Sequence, residues 1–370
     1  MDNAPREKFD IPVETFDGKS FTLRATRLIN KDKQPVILWE GFYQNGIFFD
    51  LAGGEESIAE YVHNNGYDVW IIDSRGNGGS TGKRYSTSMD DFAAEDIPAV
   101  IYFVNAKTNI KPVYIGHSQG GNTALMSLMG ACKTKEGNVF LSDQESEKRQ
   151  ASLAGLVTLG SYLDFTFNHT SSLQNFVQNG IVINIFCRRL HIISSTKILK
   201  LLKILKRIPV PVPLFLREAM TKSLILKILL FPLTIVLNII STLSVWSFLY
   251  HIPNVSKKAR LNIFYRTMQA TYWGILAQYQ RAILYEKMMS LDGKVNYSEN
   301  YNKIKLPVSV VAMEYDTLAD SFETKRVMFP KLGSLEKYFT EWKGQGHEDF
   351  VMNKTYFHLL INAIKILNLK

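Results

Sequence analysis

Short, uninterrupted apolar runs alternate with stretches of helical spacing over the first 160 residues. Residues 35–39 (Pro-Val-Ile-Leu-Trp), 67–73 and 152–160 have strand length and an apolar, partly β-branched composition, as strands buried on both faces do. Residues 55–65 place Ile58, Ala59 and Val62 at helical spacing and stop near Gly66; residues 89–107 predict a longer helix with a kink at Pro98. Residues 9–14 and 20–26, around Asp17-Gly18, predict an edge hairpin. Strands alternating with helices predict an α/β class fold, a mostly parallel sheet flanked by helices. From about 161 to about 303 the alternation stops, and the chain becomes basic, apolar and helix-like. It then resumes with a strand at 306–313, a short last strand at 338–342 and an amphipathic closing helix at 349–369. The expected organisation is a core of residues 1–160 and 304–370, with a helical cap at 161–303 inserted after a sheet strand.

The apolar approach to residue 114 runs into Gly116-His117-Ser118-Gln119-Gly120, and Asn122-Thr123-Ala124-Leu125-Met126 begins a helix-like run. Gly-x-Ser-x-Gly by itself also occurs in ordinary glycine-rich turns. Between a strand and a helix it is the pattern of a nucleophile elbow, in which a serine hydroxyl is held exposed at a strained turn. Gly116 and Gly120 fall where the backbone crosses close to itself, and a Cβ there would collide. The alternative is a tight turn with an inert serine. What decides is whether an acid and a histidine follow at strand ends.

Both follow. After the strand at 306–313 come Glu314, Asp316 and Asp320; after the last strand comes Gly344-Gln345-Gly346-His347-Glu348-Asp349. Serine, acid, histidine is the chain order of the α/β-hydrolase triad. Of seven histidines, only His347 is expected in a loop after the last strand. His117 sits within the elbow, with its side chain expected to point away. Asp316 is favoured over Glu314, which can belong to the strand end, and over Asp320, which can cap a helix. In this assignment Ser118 is the nucleophile, His347 takes and returns its proton, and Asp316 fixes the imidazole tautomer. Two backbone donors are expected to hold the oxyanion: the N–H of Gln119 and, from the loop after the 35–39 strand, that of Phe42.

Composition narrows the partners. The net charge is +9, yet between Asp164 and Glu286 fifteen Lys and Arg stand against one acid, Glu218. The positive charge therefore belongs to the cap, and the rest of the chain is acidic. Residues 197–207 are amphipathic at helical spacing, with Lys197, Lys200 and Lys203 among the cations of one side, a pattern suited to an anionic lipid surface. Residues 228–250, including Leu229, Phe231 and Trp246, form an uncharged run of 23, long enough to span a bilayer. A single span would put Ser118 and Asp316 on opposite sides of the membrane. The expectation is instead a cap hairpin that dips into the interface or lines an acyl pocket. For residues 197–207 the alternative to lipid binding is a cap helix packed on its own body with a solvated basic face. Basic residues interleaved with aliphatics do not point to nucleic acid. Two cysteines, Cys132 and Cys187, make no disulfide framework and suit a reducing compartment. No metal-ligand spacing is present, and no cofactor is expected. The glycine-rich turn after Asp73 lacks the spacing of a phosphate loop. The polar start of the chain is not a secretory signal, which leads to the expectation of a cytoplasmic, peripherally membrane-associated protein.

Several segments together resemble the acid lipase and steryl-ester hydrolase family, which includes gastric and lysosomal lipases. They are Gly116-His117-Ser118-Gln119-Gly120, Tyr67-Asp68-Val69-Trp70 with Ser74-Arg75-Gly76-Asn77, Phe92-Ala93-Ala94-Glu95-Asp96-Ile97-Pro98-Ala99, and Asp316-Thr317-Leu318-Ala319-Asp320. The similarity covers the two core segments and not the cap. It implies hydrolysis of long-chain carboxylic esters, with Ser118, Asp316 and His347 in the roles above. The family's His-Gly-Leu oxyanion segment falls on Glu40-Gly41-Phe42, with Glu40 in place of the histidine. The loop 73–80 equally resembles monoacylglycerol-lipase-like hydrolases. The rival readings are an esterase, thioesterase or acyltransferase acting on smaller acyl substrates with the same three residues, and a non-catalytic membrane scaffold.

Overall fold

The computed structural model describes residues 4–51, 56–82, 86–166, 249–256 and 271–367, with 259, 262–263 and 266–269 between the last two. Lys197, Lys200, Lys203, Leu229, Phe231 and Trp246 lie outside the described residues, as does nearly all of the uncharged run. Among the described residues, no helix is long and apolar enough to cross a membrane.

Eight strands form one sheet: β1 (Arg6–Glu14), β2 (Ser20–Leu28), β3 (Pro35–Trp39), β4 (Asp68–Ile72), β5 (Val113–His117), β8 (Gly155–Leu159), β9 (Val308–Met313) and β10 (Lys337–Trp342). Their order is β1-β2-β4-β3-β5-β8-β9-β10. The first three pair antiparallel, and every other neighbour is parallel. β3, β4, β5, β8 and β9 are buried at every position. The pleat divides their side chains between two layers. Ile37, Trp39, Trp70, Ile72 and Tyr114 pack with α2 (Ile97–Thr108) and α3 (Gln119–Leu128). Val36, Leu38, Val69, Ile71, Val113 and Ile115 pack with α1 (Ile58–Asn64) and α6 (Phe357–Lys365). α1 begins on a capping box, Ser57 with Glu60, which satisfies donors the first turn leaves free.

Three elements depart from the periodicity reading. The 89–107 helix does not simply kink at Pro98. A π turn, Phe92–Asp96, precedes it, and the Ile97 N–H reaches the Phe92 carbonyl. The wider turn gives room to the proline ring, which would press on the carbonyl four residues back. The closing helix is shorter than expected: two 3-10 turns, Asp349–Val351 and Lys354–Tyr356, precede α6. Finally, a small hairpin of β6 (Ala131–Lys133) and β7 (Val139–Leu141) and a helix α4 (Asp143–Ala151) follow α3. α4 buries Ser146 and Arg149 rather than an apolar stripe, so it has no hydrophobic period to read. Arg149 Nη1 instead donates to the carbonyls of Ser127 and Ala131, at 2.9 and 2.8 Å.

Candidate active site

In the sheet, β4 lies on one side of β3 and β5 on the other. The connections leaving β3 and β5 therefore diverge, and a crevice opens at the carboxyl ends of these strands. Into it come the loop after β3 and the turn after β5. Ser118 occupies that turn at φ 51°, ψ −115°, a backbone region that costs a non-glycine residue roughly 1–3 kcal/mol. Its N–H is held by the Leu159 carbonyl at 2.8 Å. A Cβ on Gly116 would lie 2.4 Å from the Gly121 nitrogen, and one on Gly120 would lie 2.6 Å from the Trp39 and Glu40 carbonyl oxygens. Both glycines stand where the sequence demands them, because strand, turn and helix cross within backbone contact.

Asp316 follows β9. Its Oδ1 accepts from the Leu318 and Ala319 N–H groups at 2.8 and 2.9 Å, leaving Oδ2 to meet His347 Nδ1 at 2.6 Å. The two other acids of this loop are occupied elsewhere. Asp320 caps a helical turn by accepting from Glu323 N–H at 2.9 Å, and Glu314 accepts from Gly344 N–H at 2.8 Å. Asp316 and His347 are both buried. Burial by itself would lower the affinity of the imidazole for a proton. The charge and hydrogen bond of Asp316, with the charges of Glu348 and Asp349, outweigh it and raise the His347 pKa above the usual 6.5. His347 and Ser118 line one cavity of about 230 Å³, walled mainly by Phe42, Tyr162, Phe165 and Tyr279. The Ser118 hydroxyl has no hydrogen-bond partner among the described residues. A serine on a strained turn, an imidazole opening to the same space and a carboxylate behind the imidazole can together carry out nucleophilic acyl transfer.

The Gln119 N–H stands in the first turn of α3, where no carbonyl of the helix itself can reach it. The loop after β3 presses on the elbow: a Cβ on Gly41 would lie 3.1 Å from Ser118 Cβ. The Phe42 N–H follows directly, unbonded among the described residues, and the Phe42 ring lines the cavity. Glu40 points the other way. It is buried, and its Oε1 accepts from the Ser74 N–H at 2.8 Å. Burial, with repulsion from Asp73, pushes its pKa up to about 8.

A family model described as alpha/beta hydrolase fold matches residues 34–130. Over its length the structure aligns with an esterase from Exiguobacterium antarcticum, with a TM-score of 0.53 at 12% identity, covering 96% of this chain and all of that one. The chain has the α/β-hydrolase fold. A monoacylglycerol lipase from Paleococcus ferrophilus aligns with a TM-score of 0.51 at 16% identity, over 94% of this chain and 99% of that one. In sequence, the chain is similar to acid-lipase-type proteins. Human gastric triacylglycerol lipase is 30% identical over 138 residues, 31% of this chain and 33% of that protein. Human lysosomal acid lipase/cholesteryl ester hydrolase is 35% identical over 128 residues, 29% of this chain and 31% of that protein. The chain thus spans about a third of the length of the curated relatives it matches.

Residues beyond those assigned to the site in the sequence also reach it, and His117 lies as the sequence reading expects. His117 turns away from the cavity, and its ring lies beneath His347, centroids 4.7 Å apart, stacked on Phe48. Its Nε2 meets the His347 carbonyl at 3.0 Å, which makes Nε2 the protonated nitrogen. Burial, then repulsion from His347, holds its pKa well below the usual value. The last part of the insert also contributes: α5 (Trp273–Tyr285) sends Leu276, Tyr279 and Ile283 into the cavity wall. Their i, i+3, i+7 spacing is visible in the sequence, but nothing in it says which body the stripe faces. Glu348 and Asp349 follow the histidine, and both are bonded to segments far away in the chain.

Proposed function

We propose that the protein hydrolyses carboxylic esters of lipids through an acyl-enzyme on Ser118. His347 removes the serine proton during attack and delivers it to the departing alcohol. Asp316 holds the ring in the Nδ1–H tautomer and stabilises the imidazolium. The N–H groups of Gln119 and Phe42 receive the oxyanion. The observation that carries this reading is the Asp316–His347 pair, bonded at 2.6 Å, whose imidazole shares a cavity with a serine on a strained turn. An apolar wall of Phe42, Phe165, Leu276, Tyr279 and Ile283 supports an acyl chain as its occupant; each buried methylene adds about 0.8 kcal/mol. The similarity to proteins named as lipases agrees with it.

A fluorophosphonate probe is expected to label Ser118, and p-nitrophenyl esters of rising chain length are expected to show a preference for the longer ones. Ser118→Ala should lose turnover by about 10⁴-fold or more. A wild-type protein that takes up no probe would overturn the reading, and preference for the shortest esters would restrict it to a small-ester esterase. The basic insert, with its uncharged run of 23 residues, supports a working place at an anionic lipid surface. Flotation with phosphatidylserine liposomes should weaken when Lys200 and Lys203 are neutralised; unchanged flotation would remove this part of the proposal.

A further inference from the structure

The loop after β3 and the loop carrying His347 are joined by two buried side chains. Gln44 Oε1 accepts from the Gly41 N–H at 3.1 Å, and its Nε2 donates to Glu348 Oε1 at 2.6 Å. This fixes which end of the amide faces which loop, since only the oxygen can accept and only the nitrogen can donate to a carboxylate. The second oxygen of Glu348 accepts from the Tyr250 hydroxyl at 2.7 Å, and its N–H donates to the Leu249 carbonyl at 3.0 Å. Gln44, Glu348 and Tyr250 are all buried. Residues 249–254 of the insert bind the same loop again: the His251 N–H and Asn254 Nδ2 donate to the two oxygens of Asp349, at 3.1 and 2.7 Å.

A buried carboxylate with no cation bonded to it is a poor way to gain stability, and an apolar residue of like volume would serve the core better. What such a pair supplies is a fixed register between the parts it joins. Here the parts are the peptide preceding the Phe42 donor and the residue following the His347 base. Resting on the hydrolase reading above, we propose that Gln44 and Glu348 are positioning residues. They hold the oxyanion loop and the histidine loop in a single relative setting, with Tyr250 tying that setting to the insert. Neither residue lines the cavity, so neither touches substrate. Glu348 also acts on the base by charge. The charged and titratable groups around His347 are Asp316, Glu348 and Asp349 on the raising side and His117 against them. Those around Glu348 are His347, Tyr250 and Asp349; burial, tempered by His347, Tyr250 and Gln44, places its own pKa at about 7.

The test uses the full chain and a p-nitrophenyl ester. Gln44→Leu should lower kcat about 10- to 100-fold with KM nearly unchanged, the signature of misplaced reacting groups rather than lost binding. Glu348→Gln keeps the volume and one acceptor, and should move the acidic limb of the kcat/KM profile to lower pH, because a negative charge beside His347 is removed. A packing defect alone would not shift that limb. Tyr250→Phe removes one hydroxyl and should give a smaller loss of the same kind; it and Glu348→Gln carry the test if Gln44→Leu does not fold. Active wild type with all three variants within twofold and the limb unmoved overturns the positioning pair. Wild type that neither turns over ester nor labels at Ser118 overturns the hydrolase reading instead.

Discussion

At the scale of single residues, the site depends on placing three groups whose ordinary preferences oppose the task. Serine resists positive φ, and Ser118 is held there at 51° by the crossing of Gly116 and Gly120. Imidazole resists protonation when buried, and Asp316 reverses that for His347. In the proposed mechanism His347 must be neutral to act as the base, so kcat/KM should fall as pH drops through a value above 6.5, which a pH–rate profile measures directly. Asp316→Asn keeps an oxygen for the Leu318 and Ala319 N–H groups but can turn an amide toward His347 Nδ1. Turnover should drop by about 10⁴-fold with the fold intact by circular dichroism. The placement of Ser118, Asp316 and His347 was readable in the sequence, because each lies just after a strand. Gln44 and Glu348 were not, because a bond between residues so far apart in the chain leaves no local pattern.

Among elements, the buried strands were the most legible, since burial on both faces makes their apolar runs continuous. β3 matches its sequence reading residue for residue. Polar helices such as α4 carry no such signal. α5 is a third case: its stripe was readable, but its docking was not. It seats on the body where Gln278 accepts from the Met89 N–H and donates to Asp90, both at 3.0 Å. A Cβ on Gly274 would meet the Thr87 and Ser86 carbonyls at 2.5 and 2.6 Å. Gly274→Ala should therefore destabilise the protein by about 1–3 kcal/mol in urea unfolding. Because α5 also walls the cavity, the same change should raise KM for long esters more than for short ones.

For the whole molecule, buried acids set how stability follows pH. Burial raises Glu40 to about 8 and Asp90 to about 6, the latter despite hydrogen bonds from Leu291, Tyr297 and Gln278. Their unfolded values lie near 4.5 and 3.8, so the folded state binds more protons and stability declines as pH rises from about 4 to 8. His347, with its pKa raised, adds to the decline above 6.5. His117 is held neutral and opposes folding below 6.5, where the unfolded ring takes a proton. Urea midpoints should thus be lower at pH 9 than at pH 6, and Glu40→Gln should flatten that difference. The alternation of strands and helices conveys the body at this scale, whereas the insert, whose period matches no single layer, does not disclose its arrangement. The Met288 N–H donates to the Leu163 carbonyl at 2.8 Å. The two ends of the insert therefore meet side by side on the body. A graft across these ends that is to leave the proposed ester-cleaving residues in their setting must therefore keep residues 249–254, which hold the loop of His347, and α5, which walls the cavity.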